Sequence, residues 1–439
     1  MKTKNIFKSL FVVFALFMYS CSSDSDNDTG EPTDPGNGGS GITSIVVTAS
    51  QTSIELGGSV TFTVTANDGS NVTSSSSILV NNSAITGIEY TPTATGSYQI
   101  TAKNGSITSG AISLEVTPPV ITALRVESAE TSIKIGDTAD FTVIGTDAGG
   151  NDYTITDSAM LTVNGNAIAG NRYMTLTTDD LVVTADKDGI TSPVFNLPVG
   201  DDTAPSIFSQ KAIVEDYTGT WCGWCVRVSE AITLLEAQTD DAFVIAAHIG
   251  DGMQNSYGQT LDGVYVTSGY PTAVINRDAV WAFPEPSNIA QVTNLASGNT
   301  TSGLSLNSMV VGNNLQVYVS AAFAQNTSGA KLVVFVLEDG IVASQANYTT
   351  YQGGVDPLPN FVHNHVLRHS MTNVFGDAIP SGSTAAGQKH TEVYDIPMPS
   401  SISDNTKVSV VAMIVGSDDK LINAARSKTG TADADFDFN

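Results

Sequence analysis

The sequence predicts a multidomain, largely β chain: two β-sandwiches, then an α/β unit, then a C-terminal β-sandwich. Three observations predict it. Residues 42–117 and 121–199 repeat one alternating pattern, residues 205–301 shift to a strand–helix–strand pattern, and residues 302–429 return to strand-length apolar runs. The chain has 439 residues, enough for several domains that each bury a core. Only 14% of residues are charged, while 41% are apolar and fall in short runs, which excludes a disordered acidic chain. Lys and Arg number 18 against 44 Asp and Glu, a formal charge of −26. No basic surface is left to follow a phosphate backbone, so nucleic acid is excluded as a partner.

Taken in order, residues 1–20 read as an export signal. Lys2, Lys4 and Lys8 precede an apolar run from Leu10 to Met18 that is too short to span a bilayer. Met18-Tyr19-Ser20 then leads straight into Cys21. This resembles a bacterial lipoprotein signal, although Met18 and Tyr19 stand where Leu and a small residue are usual. The resemblance implies that Cys21 is acylated, becomes the mature N-terminus and attaches the chain to a lipid membrane. Ordinary cleavage nearby, leaving Cys21 free, is the alternative. Residues 21–41 are an acidic, Gly/Pro-rich tether without apolar residues, reaching roughly 25 Å as a random coil. Its Ser-Asp run resembles the surface-export signal of Bacteroidetes lipoproteins, and a solvated linker explains it equally well.

The two repeats keep register over several blocks. Ile42-Thr43-Ser44, Thr52-Ser53-Ile54 and Phe62-Thr63-Val64 match Ile121-Thr122-Ala123, Thr131-Ser132-Ile133 and Phe141-Thr142-Val143 at an offset of 79. Ile107-Thr108-Ser109 matches Ile190-Thr191-Ser192 at an offset of 83. With turn residues every eight to twelve positions and no Cys, they resemble bacterial immunoglobulin-like modules, which implies spacing or weak adhesion. Asp137-Thr138-Ala139, Asp157-Ser158-Ala159 and Asp202-Thr203-Ala204 resemble a short O-glycosylation signal of Bacteroidetes. Pro118-Pro119 and the stretch Gly200 to Pro205 read as linkers.

The α/β unit over 205–301 carries the chemistry. Lys211 to Tyr217 reads as a buried strand, and Val228, Ala231, Ile232 and Leu235 recur on one helix face. Ala242 to His248 and Thr272 to Asn276 are further strands. At the first strand-to-helix turn stands Trp221-Cys222-Gly223-Trp224-Cys225. Two residues between cysteines at a helix start bring the sulfurs within bonding reach, and the helix N-terminus favours a thiolate. A zinc site would need about four ligands, and there is no second Cys pair. A structural bridge closing so small a loop would stabilise little.

Here the sequence resembles the thioredoxin superfamily. The resemblance implies that Cys222 is the attacking thiolate, exposed at the helix start, and Cys225 the resolving thiol inside the helix. It further implies that Asp216 is the buried carboxylate that manages the resolving proton, and that Pro271 in Gly269-Tyr270-Pro271-Thr272 is the cis proline facing the disulfide. Trp221, Trp224 and Tyr270 would contact the substrate. A surface acid at Asp216 and an ordinary turn proline at Pro271 are the alternatives. Trp224 departs from the Pro or His usual between the cysteines, Glu230 replaces a helix-kinking proline, and Gly250 to Gly269 is a long insertion.

In the C-terminal sandwich, expected over 302–429 before an acidic tail at 430–439, Leu315–Val319, Leu332–Leu337 and Val408–Met413 read as strands. His363, His365 and His369 fall on one face of a strand by their even spacing. With no carboxylate or thiol nearby in sequence, a polar face or domain contact is expected there and no metal. No cofactor is expected.

The signal, the Cys-Gly-Trp-Cys motif, Gly-Tyr-Pro-Thr and Asn364-His365-Val366-Leu367-Arg368 together resemble the 28-kilodalton-outer-membrane-protein-related lipoproteins of Bacteroidetes, over about 205–429. The resemblance implies an outer-membrane location. Three functions compete: a thiol–disulfide oxidoreductase acting on protein thiols or disulfides, a surface adhesion or ligand-binding protein in which the α/β segment is a scaffold, and a polysaccharide binder using Trp221, Trp224, Tyr270 and Trp281.

Overall fold

The computed structural model describes residues 41–429. The signal, Cys21, most of the tether and the acidic tail lie outside them. The described chain divides into two compact units, one ending at Pro118 and one beginning at Pro119.

The first unit is a β-sandwich. One sheet orders the strands Ile45–Ala49, Val60–Ala66 and Glu89–Tyr90; the other orders Ser53–Glu55, Ile112–Thr117, Gly96–Asn104, Ser77–Val80 and Ser83–Ala84. In Val60–Ala66 the period-two pattern turns Val60, Phe62, Val64 and Ala66 inward, where they meet Ile78, Ile100 and Leu114.

The second unit opens with the other repeat, a sandwich whose core is Phe141, Val143, Leu161 and Val183. Its kinship to the first reaches individual hydrogen bonds. Ser109 Oγ accepts from Ala102 N–H at 2.9 Å, and Ser192 Oγ from Ala185 N–H at 2.9 Å. Thr73 Oγ1 accepts from Val64 N–H at 2.8 Å, and Thr156 Oγ1 from Val143 N–H at 2.9 Å. This second repeat is fixed to the C-terminal strands, because Asn307 Nδ2 donates to Gly136 O at 2.7 Å and to Thr138 Oγ1 at 2.8 Å. The Tyr318 ring packs so close to Gly136 that a Cβ there would lie 2.5 Å from it. The Thr138 hydroxyl, one of the expected glycan acceptors, is thus engaged in a junction.

Beyond the two repeats, and apart from the short strands Phe208–Ser209, Asn299–Thr300 and Asp377–Ala378, the strands are β1 (Ala212–Thr218), β2 (Ala242–His248), β3 (Thr272–Ile275), β4 (Ala279–Val280), β5 (Ser302–Val311), β6 (Asn314–Phe323), β7 (Lys331–Glu338), β8 (Ile341–Gln345), β9 (Leu358–His363), β10 (Val366–Ser370), β11 (Gln388–Pro397), β12 (Val408–Val415) and β13 (Leu421–Lys428). The helices are α1 (Val226–Glu236), α2 (Ser256–Tyr265) and α3 (Ala290–Thr293).

The expectation of an α/β thioredoxin-like domain followed by a separate sandwich is corrected here. Helix is confined among the described residues to these three short α-helices and a few 3₁₀ turns, and the molecule is otherwise β-sheet. Strands β1 to β3 build no sheet of their own. They are one end of a nine-stranded mixed sheet ordered β4-β3-β1-β2-β10-β7-β12-β13, with Asp377–Ala378 beside β7. β2 pairs in parallel with β10 through Ala246 and Val366, and Ala246 N–H donates to His365 O at 2.8 Å. One face of the C-terminal strands packs on the antiparallel β5-β6-β11 sheet, so the sandwich expected there exists but shares its larger sheet. On the other face, Ile213, Tyr217 and Ile245 join Phe335, Leu367, Val411 and Met413 in one core. The physical reason is that β2 is apolar on both faces; left as an edge it would expose unpaired backbone, and β10 covers it. Among the described residues no helix is long and apolar enough to cross a membrane.

Candidate functional site

β1 is buried along its whole length, and its alternation separates two adjacent acids. Glu215 faces the shared core, where Arg277 Nη2 donates to its Oε1 at 2.8 Å. Asp216 faces α1. There it is 3% exposed, and its Oδ1 has no hydrogen-bond partner among the described residues. Arg227, the cation nearest in sequence on the helix side, is already paired with Glu285 at 2.5 Å. Burial, helped by repulsion from Glu285, pushes the Asp216 carboxyl up to about 7.

Beyond β1 the chain turns through Gly219 to Trp224 before α1 begins. Cys222 and Cys225 are joined as a disulfide. Cys225 stands at the N-cap of α1 and Cys222 in the turn before it, so Cys225 does not lie inside the helix as expected, and Cys222 precedes the helix start. Nor is Cys222 exposed: it is 5% accessible and Cys225 1%. What projects is the aromatic rim, with Trp221 48% and Trp224 53% exposed. Trp221 Nε1 donates to Ile249 O at 2.7 Å and its ring meets Tyr270 edge-on at 5.3 Å. That contact brings the Tyr270-Pro271 segment, whose peptide bond is cis, beside the disulfide turn. Tyr270 Oη donates to Asp262 at 2.6 Å; burial and this carboxylate push its phenol up to about 12. Trp281 is taken out of any aromatic platform, being buried with Nε1 bonded to Asn288 O.

Three features of the site escaped the sequence reading. The segment after β8 straps the disulfide turn: Ala346 N–H donates to Thr220 O at 2.8 Å and Tyr348 N–H to Gly223 O at 2.9 Å. Gln345 Nε2 adds a bond to Cys222 O at 3.0 Å. Tyr348 lies so close that a Cβ on Gly223 would stand 2.4 Å from its ring, which explains the glycine between the cysteines, and Trp224 meets it edge-on at 6.1 Å. The second feature is Asp251, inside the segment read as an insertion. Its Oδ2 accepts from Thr220 N–H at 2.8 Å and contacts His248 Nδ1 at 2.7 Å. Burial alone would raise this carboxyl, but the His248 bond and the amides of Thr220 and Met253 hold it below the usual range. The i, i+3 spacing of His248 and Asp251 was the available signal.

The third concerns the histidines, which do not share one strand face. β9 ends at His363, and His365 takes a left-handed φ of 57° in the turn to β10. His365 contacts Glu236 at 3.2 Å, and His369 Nδ1 lies 3.1 Å from Tyr257 Oη. His363 and His365 both border a cavity under α1 that Asp216 also lines. Among the described residues no three His, Cys, Asp or Glu side chains gather as a metal site.

Residues 258–433 match the family model described as Outer membrane protein Omp28. The match supports the outer-membrane location that the sequence predicts. It begins after Cys225, so it takes in Tyr270, Pro271 and the histidines but not the disulfide, and is shorter than the resemblance read from the motifs. None of the curated proteins compared matches the chain. Among solved structures, HBP35 of Porphyromonas gingivalis is 19% identical, with 51% of this chain and 77% of that chain covered and a TM-score of 0.41. The adhesin InvE of Yersinia pseudotuberculosis is 15% identical over 39% of this chain and 63% of its own, at a TM-score of 0.23. Domains 5–6 of the S-layer protein SbsC are 20% identical over 36% and 98%, at 0.17. With TM-scores below 0.5, none of the three bears on activity.

Proposed function

We propose that this outer-membrane protein exchanges disulfides with protein thiols or disulfides through Cys222 and Cys225. The observation that carries the reading is the disulfide at the head of α1 with an unpaired, buried carboxyl on the strand that leads into it. In the reduced pair, the Cys222 thiolate attacks a partner disulfide, forming a Cys222–partner bond and releasing one partner thiolate. Cys225 then gives its proton to ionised Asp216 and attacks Cys222 sulfur. The second partner thiolate leaves, and two electrons have passed from the pair to the partner. The reverse sequence oxidises a partner dithiol. Trp221 and Tyr270 form the side of approach, because the strap and Tyr348 cover the other. Pro271 holds that side in place.

Replacing Cys225 by Ser is expected to trap partners as mixed disulfides on Cys222, seen as mass-shifted bands that reductant removes, while Cys222→Ser traps none. Equal failure of both would sink the exchange reading. A surface adhesion or ligand-binding role is the second reading, and a specific observation favours it: the family match omits the cysteines, and both sulfurs are buried. The match, with its outer-membrane description, leans toward this reading. Under it, a Cys222→Ser/Cys225→Ser double variant binds its surface ligand unchanged.

Attachment through acylated Cys21 belongs to the same proposal. A Cys21→Ala variant is expected to leave the membrane fraction on cell fractionation; retention at the wild-type level would remove the lipid anchor.

A further inference from the structure

Beneath α1 the apolar packing of the helix on the sheet stops short of the disulfide, leaving a cavity of about 90 Å³. Asp216 and Thr218 of β1, His248 of β2, Ser229 of α1 and His363 of β9 line it. Its mouth lies among exposed Thr233, Glu236, Val362 and Asn364. Three buried polar atoms of the lining residues lack a hydrogen-bond partner among the described residues: Asp216 Oδ1, His363 Nε2 and His365 Nδ1, the last lying 3.4 Å from Asp339 Oδ1. Left dry, each such atom would keep the full cost of having given up its hydrogen bonds to water. A water needs roughly 10–15 Å³ of such space and two or more polar partners, so the cavity has room for several.

We propose that this cavity holds a chain of ordered water joining Asp216 to His363, and that His363 is a positioning residue which carries the Asp216 proton to solvent. Asp216 is sealed from bulk water, so a proton taken from Cys225 must leave before the pair can turn over again. The other titratable groups on the lining are already engaged: Glu236 with His365, and His248 with Asp251. Outside it, Glu285 is held by Arg227. His363 meets the His248 ring edge-on at 5.0 Å and the Phe361 ring at 5.0 Å, which fix its plane, and its Nε2 has no hydrogen-bond partner among the described residues. Burial, then the neighbouring His248, pushes the His363 imidazole down to about 4, so at neutral pH it is uncharged and can accept and donate in turn. The use of the proton rests on the exchange reading; the water chain does not.

The test is a pH titration of the Asp216 carboxyl by ¹³C NMR in the full chain with its disulfide intact. His363→Phe, which fills the cavity, is expected to raise the Asp216 midpoint by a unit or more, a tenfold change in proton affinity, whereas His363→Gln stays within about 0.3 of wild type. An unchanged midpoint in a folded Phe variant, or equal shifts in both variants, would overturn the proposal. Because the Phe variant can fail to fold, a crystal structure of the wild-type chain gives a second measure: two or more ordered waters between Asp216 Oδ1 and His363 Nε2 support the chain, and a dry cavity ends it. If Cys225→Ser traps no partner while the midpoint still moves, exchange is wrong and the water chain stands.

Discussion

A fragment spanning residues 205–301 is expected not to fold. Cutting after Thr301 removes β10, which covers the edge of β2, and it removes Val333, Phe335, Leu337, Leu367, Val411 and Met413 from the core they share with Ile213, Tyr217 and Ile245. Burying a side chain of this kind contributes about 1.5–3 kcal/mol, so a contact surface of half a dozen such residues, about 9–18 kcal/mol, is as large as the whole 5–15 kcal/mol by which a domain is stable. The polar stitching goes too, since Asn423 Oδ1 accepts from Lys211 N–H at 2.8 Å and its Nδ2 donates to Ser209 O at 3.0 Å. A cooperative melt of the fragment followed by far-UV circular dichroism, or a dispersed amide NMR spectrum, would contradict this. Activity assays therefore require the chain through residue 429.

The Asp216→Asn variant is expected to be the more stable protein above neutrality and no more stable at pH 4. Folded Asp216 keeps its proton to about 7, whereas the unfolded group releases it near 3.8. Between those values the folded state binds more protons, so this group's contribution is fully present below about pH 4 and is lost as pH rises through about 7. Roughly three pH units at about 1.4 kcal/mol each give a loss of about 4 kcal/mol, less the cost of burying the Asn amide. His363 acts in the opposite sense, its depressed imidazole adding stability as pH rises from about 4 toward 6.5, so the comparison is made between variant and wild type at each pH. Urea midpoints at pH 4, 6 and 8 provide it. A difference that does not grow with pH would show that Asp216 ionises freely in the folded protein.

Local pattern carried much of this structure. Ala242 to His248 is a strand as read, and Val228, Ala231, Ile232 and Leu235 are the buried face of α1. Asp216 was singled out only through the resemblance to thioredoxins, by its place six residues before Cys222; the strand pattern alone left a surface acid open, and the structure buries it. What pattern did not carry was partnership. A strand buried on both faces, such as β1 or β12, shows an unbroken apolar run whichever neighbours it has, so nothing in 205–301 announces that β10 completes its sheet. The histidines failed for a related reason: even spacing implies one face only while the strand continues, and the left-handed turn at His365 ends it. Tyr348 and Gln345 were invisible because neither forms a motif; their role exists only where distant backbone meets the disulfide turn.

That distance has a consequence in time. Gln345 lies 123 residues after Cys222, and ribosomes extend a chain at about 5–20 residues per second. For about 6 to 25 s of synthesis both cysteines exist while the segment that will brace them does not. In a nascent chain the two cysteines therefore precede the Gln345–Tyr348 segment that braces their turn, which is completed only when the last third of the polypeptide arrives.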